Sequence, residues 1–162
     1  MKQRLTKNIE LLLENLYKLN KSILRLNFSY QNIEKINFSQ LELSDTELEL
    51  MESLCSRFAR SSDILVQKVL KSFFILIQED FTTFLDIAEL AEKFEIIQSS
   101  SKLILIRDLR NQISHEYEES EIYNIFKEVI AIIPEFQEII QKTNSVIRSE
   151  EHTSELQSRI TI

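Results

Sequence analysis

Apolar residues recur every three or four positions along most of the chain, and this pattern is typical of amphipathic helices. The first helix is predicted over residues 3–27, where Leu and Ile side chains form one face and Lys and Glu the other. The next stretch, 28–43, is rich in Asn and Ser with scattered apolar residues. We interpret it as a loop or a broken helix.

The second predicted helix begins at Ser44, where the sequence Ser44-Asp-Thr-Glu47 has the form of a capping box. In such a box the Ser hydroxyl accepts from the backbone amide three residues on, and the Glu side chain reaches back. The apolar pattern continues to about residue 78, and Ser61-Ser62 is the weakest point of this helix.

Three further helices follow, each preceded by a Ser or Thr that can cap it. They are predicted from Thr82 or Thr83 to about residue 94, from 102 to 115, and from 121 to 133 with Ser120 as the cap. Pro134 is expected to open a further turn or to kink the chain, with helix resuming to about residue 146. Five principal helices with short connections predict an all-α antiparallel bundle.

Composition supports this fold class, because the 162 residues include no Gly and only one Pro. Average Gly usage is about 7%, and tight hairpins and phosphate-binding loops depend on it. A dinucleotide-binding fold, a P-loop or a β-meander is therefore not expected, while helices joined by polar turns are easy to build. The length is that of one domain.

Charge and cysteine content constrain the partners and the compartment of the protein less strongly. Lys and Arg number 19 against 26 Asp and Glu, giving a net charge of −7, so a basic coat for nucleic acid is not expected, although a local basic patch remains possible. The one cysteine, Cys55, lies on an apolar helix face and is interpreted as core rather than as a nucleophile. Without a disulfide, a long apolar span or an apolar signal core, we expect a cytoplasmic protein that does not bind membranes.

The last residues have a different character. The segment 148–158 reads RSEEHTSELQS, and it resembles the conceptual translation of a widely used sequencing adapter. We therefore predict a helical domain over residues 1–147 and a non-native tail over 148–162, with the natural C-terminus lost.

The segment 107–117 carries the candidate chemistry. On a helix, its polar residues gather on one arc, opposite an apolar side formed by Leu105, Ile106, Leu109 and Ile113. Asn111 and His115 are four residues apart, so their side chains are expected to meet. The polar arc consists of Arg107, Arg110, Asn111, Ser114 and His115.

Two of these side chains suit phosphodiester cleavage in RNA, in which the neighbouring 2′-hydroxyl is the nucleophile. His115 would move protons near neutral pH, and Arg110 would stabilise the charge that builds on phosphorus. No second His and no His/Cys cluster lies nearby, so we expect neither a metal nor another cofactor. On spacing alone, the same residues are also typical of a solvated helix face.

The stretch from Arg110 to Tyr117 resembles the R-x-x-x-x-H-x-Y motif of HEPN-domain proteins, specifically the HepT-like toxins encoded beside minimal nucleotidyltransferases. Arg107 resembles the first residue of the R-x-x-R-N run of that family. Residues 56–65 and 86–93 resemble its central helix and the helix before the motif, so the resemblance covers about residues 44–133.

This resemblance implies a HEPN-like fold and a metal-independent endoribonuclease, the toxin of a type VII-like toxin–antitoxin pair. Arg110 and His115 match the catalytic pair, with Arg107, Asn111 and Ser114 as supporting residues. Tyr117 matches the tyrosine that the nucleotidyltransferase antitoxin modifies with AMP. A homodimer would place two motif helices around one cleft for RNA.

Two alternatives remain open at the level of the sequence. The acidic balance also fits a non-catalytic helical subunit that docks a nucleotidyltransferase or presents its substrate, with Arg and His in recognition only. Tyr123 is an alternative acceptor for the modification.

Overall fold

A computed structural model describes residues 1–115 and 119–160, and all of the regular structure in these two ranges is helical. The prediction of an all-α fold is therefore confirmed for the part of the chain that is described. The elements are α1 (Lys2–Asn32), a 3-10 turn (Ile33–Lys35), α2 (Asp45–Asp63), a π-helical segment (Ile64–Leu70), α3 (Lys71–Leu76), α4 (Phe84–Lys93), α5 (Ser100–Ser114) and α6 (Glu119–Ile160).

The second predicted helix is present at its expected length but is not uniform. The segments α2, the π-helical segment and α3 follow one another without a break, so that the bundle has five helical rods, as predicted. The hydrogen-bond pattern changes at Ile64, immediately after the predicted weak point at Ser61-Ser62. Such π-helical turns are rare and occur often at functional sites.

Polar pairs between helices show that α1 is antiparallel to the rod formed by α2 and α3. Asn15 donates to Ser72 Oγ at 2.8 Å, and further along α1 Ser29 Oγ accepts from Arg57 at 2.7 Å. Residue numbers therefore increase along α1 while those of the contacting residues in the rod decrease. The same order relates α1 to α6, through the pairs Asn20 with Asn144 and Asn27 with Gln137.

One continuous core lies between the rods. Its largest side chains with essentially no exposed surface are Phe58, Phe73, Phe74 and Phe136. The rings of Phe58 and Phe136 meet edge to face with centroids 5.2 Å apart, which joins α2 to α6 in a geometry that aromatic pairs prefer. The predicted apolar faces thus converge on a single interior.

The helix caps are those that the local sequence specifies. Ser44 and Glu47 form the predicted capping box, with bonds of 3.2 Å and 2.9 Å. Thr83 and Asp86 form a second one at the start of α4, and Ser99 caps α5. The predicted helix starts at these residues are therefore confirmed. Caps can be predicted from the sequence because they depend only on neighbouring residues.

The absence of Gly has a visible consequence where α3 and α4 end. Gln78 and Glu95 both have φ of 60°, in the left-handed region that favours Gly. The Glu79 N–H bonds to the Phe74 carbonyl oxygen, as the Ile96 N–H bonds to that of Ala91. Both ends are therefore Schellman motifs built with a non-glycine residue at the left-handed position.

The structure differs from the sequence-based boundaries at both ends of the chain. Helix α1 continues to Asn32, so the irregular region is shorter than the predicted loop over 28–43. Helix α6 begins at Glu119 and includes Ser120, which was expected to cap it. Pro134, where a further turn or a kink was expected, lies inside the helix, so no separate turn begins there. Packing of the apolar face of α6 on the core maintains the helix despite the missing Pro134 N–H. The predicted boundary at 147 lies within α6, and the origin of the tail stays a prediction.

Candidate functional site

Arg110 is held on α5 by hydrogen bonds to two other side chains. Its Nε donates to Asp63 Oδ1 at 2.7 Å and its Nη2 donates to Asp63 Oδ2 at 2.9 Å. Its Nη1 donates to Ser114 Oγ at 2.8 Å. A guanidinium has five N–H donors, and these bonds use three of them. The arrangement fixes the plane of the guanidinium while one edge stays accessible.

The electrostatic setting of Arg110 follows from this geometry. The hydrogen bonds to Asp63 raise the pKa of Arg110 above its usual value; slight desolvation opposes the rise, and the Asp63 charge adds to it. The two side chains are 33% and 43% exposed, so solvent reaches both. Arg110 therefore stays charged, but it is not one of the freely solvated residues that the helical arc suggested.

Arg107 lies against a different helix from Arg110. Its guanidinium carbon is 4.2 Å from the centroid of the Phe84 ring at the start of α4, a cation–π contact. Its Nε is 4.0 Å from the carboxylate of the adjacent Asp108. Arg107 thus contacts α4 while Arg110 contacts α2, so the structure does not join them in one cluster as the arc predicted.

His115 is the residue at which the motif helix ends. Its backbone is extended, with φ −91° and ψ 155°, and its side chain is exposed. The predicted end of this helix at about His115 is therefore confirmed. The contact between His115 and Asn111 stays a prediction, since helical spacing does not apply to a residue with an extended backbone. Arg110 and Ser114 are a pair that meets at the four-residue spacing. Asn111 is exposed on α5.

The two candidate tyrosines differ in what the structure says of them. Tyr117 lies outside the described residues. Tyr123, the alternative acceptor, is partly buried on α6, and its hydroxyl oxygen accepts a 3.3 Å hydrogen bond from the Leu43 N–H. This hydroxyl is part of the contact between α6 and the loop that precedes α2.

The apolar side of the motif helix is mostly as predicted. Ile106 and Leu109 are buried and Ile113 is partly buried against the core. Leu105 is 43% exposed, so its assignment to the buried side is wrong. Leu103, one turn earlier than Ile106, is buried instead.

A basic groove, which the sequence analysis did not find, passes beside this site between α1 and the rod of α2 and the π-helical segment. Its volume is about 860 Å³. Asp63, the partner of Arg110, is the one carboxylate in its lining, and Ile64 the one apolar residue. The three- and four-residue spacing of the cations on α1 is visible in the sequence. Only the fold shows that α2 and the π-helical segment add further cations to the same groove. The six cations that line the basic groove are Lys18, Lys21, Arg25, Arg57, Arg60 and Lys68.

A second cavity, of about 410 Å³, lies between α2, α5 and α6. Ser114 and Ser56 line it, and Ser56 also lines the basic groove. Cys55 lies in its wall but is only 5% exposed, and burial, followed by the charge of Glu52, raises the pKa of its thiol to about 12. The interpretation of Cys55 as a core residue is confirmed, because a neutral thiol is a poor nucleophile.

Among the described residues there is no group of three or more His, Cys, Asp or Glu side chains placed to hold a metal ion. None of the described helices has the length and apolar character needed to cross a membrane. The chain matches no model of a known protein family, and no curated protein matches it by sequence.

Proposed function

We propose that this protein is a metal-independent RNA endonuclease of the HEPN kind, with Arg110 and His115 as its catalytic residues. The observation that carries the proposal is the fixed guanidinium of Arg110, held by Asp63 and Ser114 five residues before an exposed His115. A charged donor of fixed orientation on the same helix as an exposed imidazole supplies the two kinds of group that phosphodiester cleavage requires.

In the proposed reaction, the 2′-oxygen of the substrate attacks the adjacent phosphorus as a base removes its proton. The bond from phosphorus to the 5′-oxygen breaks, and that oxygen takes a proton from an acid, leaving a 2′,3′-cyclic phosphate and a 5′-hydroxyl. The two N–H groups of Arg110 that are not directed at Asp63 or Ser114 would donate to the phosphoryl oxygens, where negative charge increases.

One His cannot be both the base and the acid in the same step. We therefore propose a homodimer in which two copies of α5 face one cleft, so that each supplies one His115. The exposure of His115 at the end of α5 supports this arrangement, since a partner can approach it.

The proposed control is modification of Tyr117 by a minimal nucleotidyltransferase, and it rests on the motif resemblance. The tyrosine oxygen would attack the α-phosphorus of a bound nucleoside triphosphate, adding AMP and releasing pyrophosphate. The added group would place bulk and negative charge two residues from His115, where it would repel an RNA backbone. The protein would then be the toxin and the nucleotidyltransferase its antitoxin.

The test compares RNA cleavage by the wild-type chain with that of two variants, His115→Ala and Arg110→Ala. We expect each change to reduce the cleavage rate by at least a hundredfold, with the growth arrest caused by expression of the chain relieved in parallel. Lys127→Ala, an exposed change on α6 at a residue that lines neither the basic groove nor the second cavity, is the matched control. Equal cleavage by the wild-type chain and both variants would overturn the proposal.

The second candidate function is a non-catalytic subunit that docks a nucleotidyltransferase, and the Arg110–Asp63 pair favours it in one respect. Paired with a carboxylate, Arg110 also serves to join α5 to α2. If this is its only role, Arg110→Ala will lower the melting temperature while no RNA is cleaved by the wild-type chain at any concentration, and the chain will still bind its nucleotidyltransferase.

A further inference from the structure

The basic groove concentrates positive charge in a protein that is acidic overall. Six of the 19 Lys and Arg residues line it, although the net charge of the chain is −7. Its single lining carboxylate, Asp63, is bonded to Arg110. Lys18 is also paired with Glu14 at 3.2 Å on its solvent side, which leaves five lining cations with little compensating charge.

The cations come from separate elements and face a common space. Lys21 and Arg25 are one turn apart on α1, Arg60 lies on α2, and Lys68 lies in the π-helical segment. Arg57 is anchored by bonds to the Arg25 carbonyl oxygen and to Ser29 Oγ. Such like charges repel one another, so bringing them together lowers stability unless an anion is bound there.

The groove reaches Asp63, the hydrogen-bond partner of the proposed catalytic residue Arg110. Asp63 is at once a lining residue of the groove and the partner of Arg110, and the next residue, Ile64, begins the π-helical segment. A polyanion lying in the groove therefore approaches the guanidinium of Arg110. Among the described residues, the lining includes one apolar side chain, Ile64, whereas protein–protein interfaces bury a substantial apolar core. This favours a nucleic-acid backbone over an acidic protein.

We propose that the basic groove binds the phosphate backbone of a single RNA strand and delivers it to Arg110. The proposal rests on the proposed function and extends it with a binding site outside the motif helix. It assigns affinity to the five cations Lys21, Arg25, Arg57, Arg60 and Lys68 and chemistry to Arg110 and His115, so the two can be separated by experiment.

The test measures binding without cleavage. The ligand is a fluorescently labelled 12-nucleotide RNA whose 2′-hydroxyls are replaced by fluorine, which keeps the backbone charge and removes the nucleophile. Anisotropy titrations of the wild-type chain at 50–200 mM salt should give a slope of log K against log salt of about −3.5, since about five cations each contribute about −0.7 on a single strand.

The key comparison is between two double variants of equal charge. Lys21→Glu with Lys68→Glu reverses two groove cations, whereas Lys127→Glu with Lys142→Glu reverses two exposed cations of α6 outside the groove. We expect the groove variant to bind at least tenfold more weakly, with a slope less steep by about 1.4, and the control to bind within twofold of the wild-type chain. Circular dichroism melts establish that both variants are folded.

The outcomes separate this proposal from the proposed function. Equal weakening in both variants would mean that total charge acts rather than the groove, and would overturn the proposal while leaving cleavage by His115 intact. Tighter binding of a poly-glutamate peptide than of the RNA at matched charge would identify an acidic protein as the ligand, and would also overturn it. Loss of groove binding to RNA alone supports it, whatever the His115→Ala result.

Discussion

Arg110 on α5 and Asp63 on α2 share two parallel hydrogen bonds, at 2.7 Å and 2.9 Å, although 47 residues separate them in the chain. This fork-to-carboxylate geometry sets both the position and the plane of the guanidinium. The same carboxylate lies in the wall of the basic groove. One side chain therefore connects the motif helix, the start of the π-helical segment and the groove.

We expect Asp63→Ala to reduce RNA cleavage at least tenfold, because Arg110 loses the partner that orients it. The fall should be in kcat, with little change in KM, since the basic groove that binds the strand keeps its cations. The free energy of unfolding should fall by no more than about 1 kcal/mol, because both side chains are partly exposed and solvent screens the pair.

Cleavage assays over a range of RNA concentrations measure kcat and KM, and urea unfolding measures the free energy of unfolding. Asp63→Asn, which keeps an acceptor oxygen, should retain more activity than Asp63→Ala. Unchanged cleavage by Asp63→Ala would show that the pair has only a structural role.

Replacement of Gln78 or Glu95 by Gly should stabilise the protein. Both residues have φ of 60°, where the steric contact between Cβ and the backbone costs about 1 kcal/mol. Gly has no Cβ and avoids this cost, although its greater freedom in the unfolded chain offsets part of the gain. We expect a gain of up to about 1 kcal/mol for each change. Urea unfolding should show it, and Lys127→Gly, inside a helix, should instead destabilise.

The capping box at the start of α4 is expected to make part of the folding stability sensitive to acidic pH. Backbone hydrogen bonds from Thr83 and Thr82, then the Thr83 side chain, lower the pKa of Asp86 below the usual 3.8 of this side chain. Because the pKa of Asp86 is lower in the folded chain than in the unfolded chain, ionised Asp86 contributes its full stabilisation above pH 3.8. That stabilisation is lost as the pH falls through the folded-state pKa. The stability of Asp86→Asn should therefore fall less steeply below pH 3.8 than that of the wild-type chain. Parallel slopes in urea unfolding at pH 2–4 would contradict this.

Cys55 should be unreactive in the folded protein. Burial, followed by the charge of Glu52, raises its pKa to about 12, so at pH 8 about one thiol in ten thousand is ionised. Iodoacetamide labelling followed by mass spectrometry should then proceed only as fast as the protein opens, and labelling should become rapid above the urea midpoint. Fast labelling of the native chain at pH 8 would show that the cavity beside Cys55 admits the reagent freely.

The local features of the fold were available in the sequence. The capping boxes at Ser44 and Thr83, the five helical rods and most of the buried faces depend on residues within a few positions of each other, so periodicity and spacing predict them. The same reasoning placed Cys55 in the core. It went wrong at Leu105, whose side chain is 43% exposed.

The candidate site shows the limit of that reasoning. Spacing put Arg107 and Arg110 on one arc, but Arg107 contacts Phe84 of α4 and Arg110 contacts Asp63 of α2. A long side chain is placed by whatever neighbouring helix offers a ring or a carboxylate, and helical angles do not carry that information.

Short-range hydrogen bonding and the period of the apolar residues set the helical class, the rods and their caps, so these features follow from the order of residues alone. The partner of Arg110, the continuity of α6 through Pro134 and the basic groove between α1 and α2 follow only from the packed fold. Each of these depends on contacts between residues distant in the chain. Packing of the rods brings those residues together and gives an acidic protein one concentrated positive surface.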